Sequence, residues 1–189
     1  MSLQTPTFII PNYTLRRAKL FNDREIIPDT IIIHSISNPK SPSPNSLHSC
    51  IDILLQYSSS ANYMIGRVGE ENGKVIELIP PNRRAWHAGK SELFGCVNLN
   101  DTSIGIELCG HYAQDDFRHD SAQINALIEL ILYLFSEFPM LTVQKIKPHQ
   151  IVSDSAVRKD PKPDPGRGFD WINFGYLLVS ALMQRNLYR

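Results

Sequence analysis

The three cysteines, Cys50, Cys96 and Cys109, are odd in number and share no CxxC spacing. That excludes a disulfide framework and a thiolate metal cage, and leaves small, mostly buried residues of a reducing compartment. Long apolar runs are missing as well. The longest, ALIELILYLF, holds ten residues and contains Glu129, short of the ~20 that a membrane span needs. The opening MSLQTPTFIIPNYTLRR has no basic start, long apolar core or small-residue cleavage site of a signal peptide. A cytoplasmic protein is therefore expected. Charge of one sign is lacking too: Lys plus Arg and Asp plus Glu number 19 each. No bulk field draws the chain to nucleic acid or to an anionic membrane, and an anionic ligand would need a local basic patch. There is no HExxH, which removes the helix-borne metallopeptidase motif. No internal repeat and no long linker divides the chain.

What is there reads as one folded domain. Hydrophobic residues at 42% and charged residues at 20% decide against disorder. TIIIHSI, residues 30 to 36, is a β-branched run typical of a strand buried on both faces. NPKSPSPNS, residues 38 to 46, is a loop by its three prolines. A short helix fits Cys50 to Tyr57. ANYMIGRV and KVIELIPP, separated by GEENG, read as two strands joined by a turn. SIGIELCG, residues 103 to 110, is another buried strand. The clearest helix runs from near Asp120 to about Phe138, with Asp120 and Gln123 as a capping box and Pro139 as its stop. A last helix covers Trp171 to about Arg185. Strands alternating with amphipathic helices predict an α/β fold: a single domain, a central mixed β-sheet flanked by helices. Residues 1–12 are expected to be a loosely held arm. The sequence carries no signal for oligomeric state.

The residues able to do chemistry lie at strand ends and in loops. His34 sits within TIIIHSI, His149 in KPHQ, and Asp164 between prolines in DPKPDPGRGFDW. Each has an ordinary reading: a satisfied strand histidine, a loop histidine, a turn aspartate. Together they would supply two imidazoles and a carboxylate, the three protein ligands of a catalytic zinc with a position left open. Composition does not single these out from six histidines.

HSIS at 34 to 37, RAWHAG at 84 to 89, NDTSIGIELCG at 100 to 110 and PDPGRGFDW at 163 to 171 occur in order across residues 30 to 180. In this the chain resembles the AmpD-type amidases, zinc-dependent N-acetylmuramoyl-L-alanine amidases related to peptidoglycan-recognition proteins. The resemblance implies a zinc amidase fold. It implies one Zn2+ per chain, held by His34, His149 and Asp164. It implies Glu107 as the general base and Lys162 as the cation facing the oxyanion. Lys162 also reads as a solvated loop lysine, and Lys159 is its competitor for the same role. In RAWHAG, Trp86 would offer a flat face to sugar or peptide, Arg84 a fork for a carboxylate, and His87 a hydrogen bond to an N-acetyl group, without being a zinc ligand. Trp86 and Ala88 also have a reading in which they simply pack the loop. His48, His111 and His119 lie outside the motifs and read as solvent histidines.

Zinc on two neutral imidazoles and one carboxylate keeps a net positive charge, enough to acidify water and to polarise a carbonyl. The expected substrate is a muropeptide or peptidoglycan, cleaved between N-acetylmuramic acid (or its 1,6-anhydro form) and L-alanine. Departures from the family pattern remain. The His149 to Asp164 spacing is longer, so VSDSAVRKDPK holds a small insertion. Asn62 stands where many relatives have histidine, and Asn98 near where some carry arginine. Two other readings stand beside the amidase: a catalytically idle peptidoglycan-binding module, and an unrelated metal-dependent peptidase.

Overall fold

The computed structural model describes residues 6–111, 119–153, 156–157 and 159–189. The chain runs β1 (Ile9–Pro11), α1 (Thr14–Arg17), β2 (Phe21–Glu25), β3 (Thr30–Ile36), α2 (Leu47–Gln56), β4 (Tyr63–Ile65), β5 (Val75–Glu77) and β6 (Arg83–Ala85). It continues with β7 (Glu92–Leu93), β8 (Cys96–Val97), β9 (Ser103–Cys109), α3 (Ser121–Glu137), β10 (Ile146–Pro148), α4 (His149–Val152) and α5 (Trp171–Gln184). Six strands form the main sheet in the order β1-β5-β4-β9-β3-β10. Every pairing is parallel except β4 with β5. The mixed sheet expected from the alternation of strands and helices is present.

The two buried runs, TIIIHSI and SIGIELC, lie side by side at its centre. Strand side chains alternate between faces, and here the alternation sorts chemistry from packing. Ile31 and Ile33 of β3, with Ile104, Ile106 and Leu108 of β9, join Leu127, Ile131 and Phe135 of α3 and Phe174, Leu178 and Leu182 of α5 in the larger core. Each such side chain contributes roughly 1.5–3 kcal/mol on burial. The opposite face carries Ile32 and His34 on β3, and Ser103, Gly105, Glu107 and Cys109 on β9. Its lower apolarity matches its partial cover. Part lies under α1 and α2 through Leu15, Cys50, Ile51 and Leu54. Another part lies under Ala88, Leu93, Leu99 and Val152.

Local chemistry sets the helix ends. Ser46 accepts from the Ser49 amide at 3.3 Å, so α2 begins at Leu47 rather than at the expected Cys50. Asp120 caps α3 through the Gln123 amide at 3.0 Å, as expected. The capping box is not completed. The Gln123 side chain is drawn inside instead, donating to the carbonyls of Ile65 and Cys109. Asp170 caps α5 in the same way as Asp120 caps α3.

The loose arm expected over residues 1–12 needs correction. Residues 1–5 lie outside the described ones, but Ile9–Pro11 pair with Val75–Glu77 as an edge strand and Ile9 is buried. Ile9 alone gives that strand its buried side chain, while Ile10 is exposed, a signal too short for periodicity to detect. Of the longer segment expected before Lys162, residues 154, 155 and 158 lie outside the described residues. Cys50 and Cys109 are buried as expected, whereas Cys96 is exposed. Among the described residues, no helix is long and apolar enough to cross a membrane.

Candidate active site

The partly covered face of the sheet opens into a groove of about 480 Å³. His34 enters it from the middle of β3 and Glu107 from the neighbouring position on β9. His149 reaches it from the first residue of α4, directly after β10 pairs with β3. Asp164 comes from the proline-flanked loop, which is tied to α4 by the Gln150 amide on the Asp164 carbonyl at 3.1 Å. Three elements and a loop thus deliver four polar side chains to one buried spot.

Both imidazoles turn Nδ1 towards the Asp164 carboxylate, His34 at 3.1 Å and His149 at 3.2 Å. One ligand atom from each of His34, His149 and Asp164 lies within 4.8 Å of the others, and all three residues are buried. For His149 the tautomer is forced. Its Nε2 lies 3.2 Å from the Ala88 carbonyl, which can only accept, so Nε2 carries a proton and the neutral form of the ring has its lone pair on Nδ1. A single proton could serve one of the contacts around Asp164; a metal cation serves all three. Two imidazoles and a carboxylate, with room beside them in the groove, fit a divalent ion such as zinc.

The electrostatics point the same way. Burial, and the neighbouring His149, lower His34 to about pKa 4 against the pull of Asp164, so the ring is neutral. Glu107 is pushed well up, by burial first and by Asp164 second. Its Oε2 is buried and has no hydrogen-bond partner among the described residues. A buried, unpartnered carboxylate oxygen facing a second carboxylate is costly in itself and is relieved by a nearby cation.

The other anticipated residues divide. Lys162 lines the groove, its ammonium 3.5 Å from Asp160, while Lys159 is exposed and is not part of the lining. Trp86 lines it as well, held by its amide on Ser60 Oγ at 2.8 Å and its indole N–H on Asn22 at 2.9 Å. Arg84 bonds Asp101 and Asn22 and is not among the residues that line the groove. These bonds fasten β6 to the β2 and Leu99–Asp101 segments. His87 borders the groove, but both its ring nitrogens are engaged inside the protein, Nδ1 with His34 Nε2 at 3.0 Å and Nε2 with Ser103 Oγ at 3.3 Å. The expected hydrogen bond to an N-acetyl group has no free ring nitrogen to make it. Burial, and then His34, hold this ring well below its ordinary pKa. His48 is exposed as expected, but His119 is half-buried, bonded to Gln123 and packed on Phe169.

Three residues went unassigned from sequence. Asn100 Oδ1 accepts from the amides of His87 and Ala88 at 3.1 and 2.8 Å, clamping the RAWHAG loop. Asn62 accepts from the Gly105 amide and donates to Pro80, bridging β9 to the loop beyond β5. Tyr57, at the end of α2, stands 70% exposed on the groove rim. A buried asparagine has no sequence signature of its own; only the quoted motif around Asn100 hinted at one.

The description N-acetylmuramoyl-L-alanine amidase covers a family that matches residues 22–167. The chain belongs to that family. It is an amidase, which sets aside both the idle binding module and the unrelated peptidase. The chain is 30% identical over 167 residues to the 1,6-anhydro-N-acetylmuramyl-L-alanine amidase AmpD of Enterobacter cloacae, covering 82% of each. It is 34% identical over 132 residues to the N-acetylmuramoyl-L-alanine amidase AmiD of Escherichia coli, covering 65% of this chain and 46% of that one. A selenomethionine AmpD crystal structure shares the fold, with TM-score 0.65 at 24% identity over the whole of both chains. AmiD of E. coli in complex with anhydro-N-acetylmuramic acid-L-Ala-D-gamma-Glu-L-Lys gives 0.66 at 25% identity, covering 82% of this chain and 59% of that one.

Proposed function

We propose that this amidase is zinc-dependent and cleaves the amide between 1,6-anhydro-N-acetylmuramic acid and L-alanine in muropeptides recycled in the cytoplasm. The observation that carries the reading is the convergence of His34, His149 and Asp164, all buried, with one ligand atom of each within 4.8 Å of the others. Zinc bound there supplies the positive charge that acidifies a water and polarises the scissile carbonyl. Glu107 accepts the proton of the attacking water and returns it to the departing amide nitrogen. The Lys162 ammonium, on the groove wall, faces the oxygen that gains negative charge. Trp86 and Tyr57 border the same groove and give the sugar or peptide flat surfaces to pack on. The anhydro-muropeptide substrate is supported by similarity to the 1,6-anhydro-N-acetylmuramyl-L-alanine amidase AmpD over 82% of that chain.

Mass spectrometry of the products tests the substrate. Anhydro-muropeptide should be split into free peptide and anhydro-sugar, with intact sacculi attacked far more slowly. Faster release of peptide from sacculi than from anhydro-muropeptide would overturn the recycling assignment.

A further inference from the structure

The protonation of His34 can be read from a chain of contacts that ends on main-chain oxygen. Ser103 Oγ lies beside His87 Nε2 at 3.3 Å and donates its own proton to the Leu99 carbonyl. With its only hydrogen used there, the hydroxyl can offer His87 nothing but a lone pair. His87 Nε2 is therefore the protonated nitrogen of a neutral ring, and His87 Nδ1 is the bare one. At 3.0 Å from that bare nitrogen, His34 Nε2 must carry a proton, which leaves the lone pair of His34 on Nδ1, towards Asp164. Two carbonyl oxygens, of Leu99 and of Ala88, thus set the two imidazoles in the same tautomer by separate routes.

The geometry points to His87 as a positioning residue that holds His34 in its Nε2–H form, aiming Nδ1 at the metal position, rather than as a contact to substrate. Everything around His87 is built to fix its ring. Asn100 clamps its main chain. Gly105, on the strand below, lies so close that a Cβ there would come within 2.4 Å of the ring. The ring stands edge-on to His34, with centroids 5.1 Å apart and planes at 86°. A metal-ligating histidine with its second nitrogen held in this way keeps its orientation and basicity, and losing such a partner typically costs about 10–100-fold in metal affinity. This role rests on the zinc reading above.

The test uses the full chain with 15N-labelled histidine, and zinc alone as the ligand. Long-range 15N–1H spectra of the metal-free protein should show His34 protonated on Nε2 in the wild type. His87→Asn keeps an acceptor oxygen where Nδ1 stood, and should retain both that tautomer and wild-type zinc affinity in competition with a chromophoric chelator. His87→Phe keeps a ring without nitrogens; His34 should lose its single tautomer and zinc affinity should fall about 10–100-fold. Equal zinc affinity in all three proteins, or a wild-type His34 protonated on Nδ1, would overturn this role while leaving the zinc reading intact. A wild type that takes up no zinc at all would overturn both. If His87→Phe fails to fold, the wild-type tautomer alone decides.

Discussion

His34 and Glu107 are register partners on adjacent parallel strands, β3 and β9, and leave the sheet on the same face. Side chains directly opposite each other on neighbouring strands are close neighbours, so the backbone ladder alone fixes the distance between a candidate metal ligand and the candidate base. No loop has to close to bring them together. The pairing also separates their roles, since His34 is turned to Asp164 while Glu107 Oε2 has no protein partner among the described residues.

Glu107→Gln should therefore retain zinc and substrate binding while kcat falls by ~100-fold or more, because a proton acceptor alone is removed. Metal content by atomic emission, beside steady-state kinetics, checks this. Loss of zinc in the variant would make Glu107 a ligand.

Lys162→Ala should lower kcat and kcat/KM together by about a hundredfold, the worth of one oxyanion donor in an occluded site, roughly 3 kcal/mol. Lys159, exposed and outside the groove lining, should be nearly silent as alanine. Kinetics in which Lys159→Ala is the damaging change would reverse the assignment.

Arg84→Ala separates two accounts of the same residue. A fork tied to Asp101 and Asn22 is a partly exposed structural contact, worth about 1 kcal/mol or less. A thermal melt should show a small loss of stability, with KM unchanged. A large rise in KM and no stability change would restore Arg84 to the substrate.

Gly105→Ala should be disproportionately harmful for so small a change. The added methyl meets the His87 ring, and overpacking of this kind costs about 1–3 kcal/mol. Denaturant unfolding should reveal the cost, and zinc affinity should drop with it. A neutral outcome in both would mean the ring has somewhere else to go.

The central strands, the long helix and the chemical face of the sheet were legible because each rests on a local signal. TIIIHSI and SIGIELC announce buried strands by composition, and Asp120 and Pro139 mark the ends of α3. Ile9–Pro11 was not legible, since an edge strand so short is stabilised by β5 far along the chain. The site shows the same division. His34, His149, Asp164 and Glu107 could be named from motifs, and the fold brings them together. The engagements of Arg84 and His87 could not be read, because a sequence names donors without naming acceptors. Asp101, Asn22, Ser103 and His34 become their partners only through tertiary packing.

The central claim is that His34, His149 and Asp164 hold a catalytic zinc, and metal analysis coupled to turnover tests it most directly. The purified chain should contain one zinc per molecule, lose it and its amidase activity on dialysis against a strong chelator, and regain both on adding zinc; His34→Ala should recover neither. Full activity in protein shown by atomic emission to be free of metal would contradict the account.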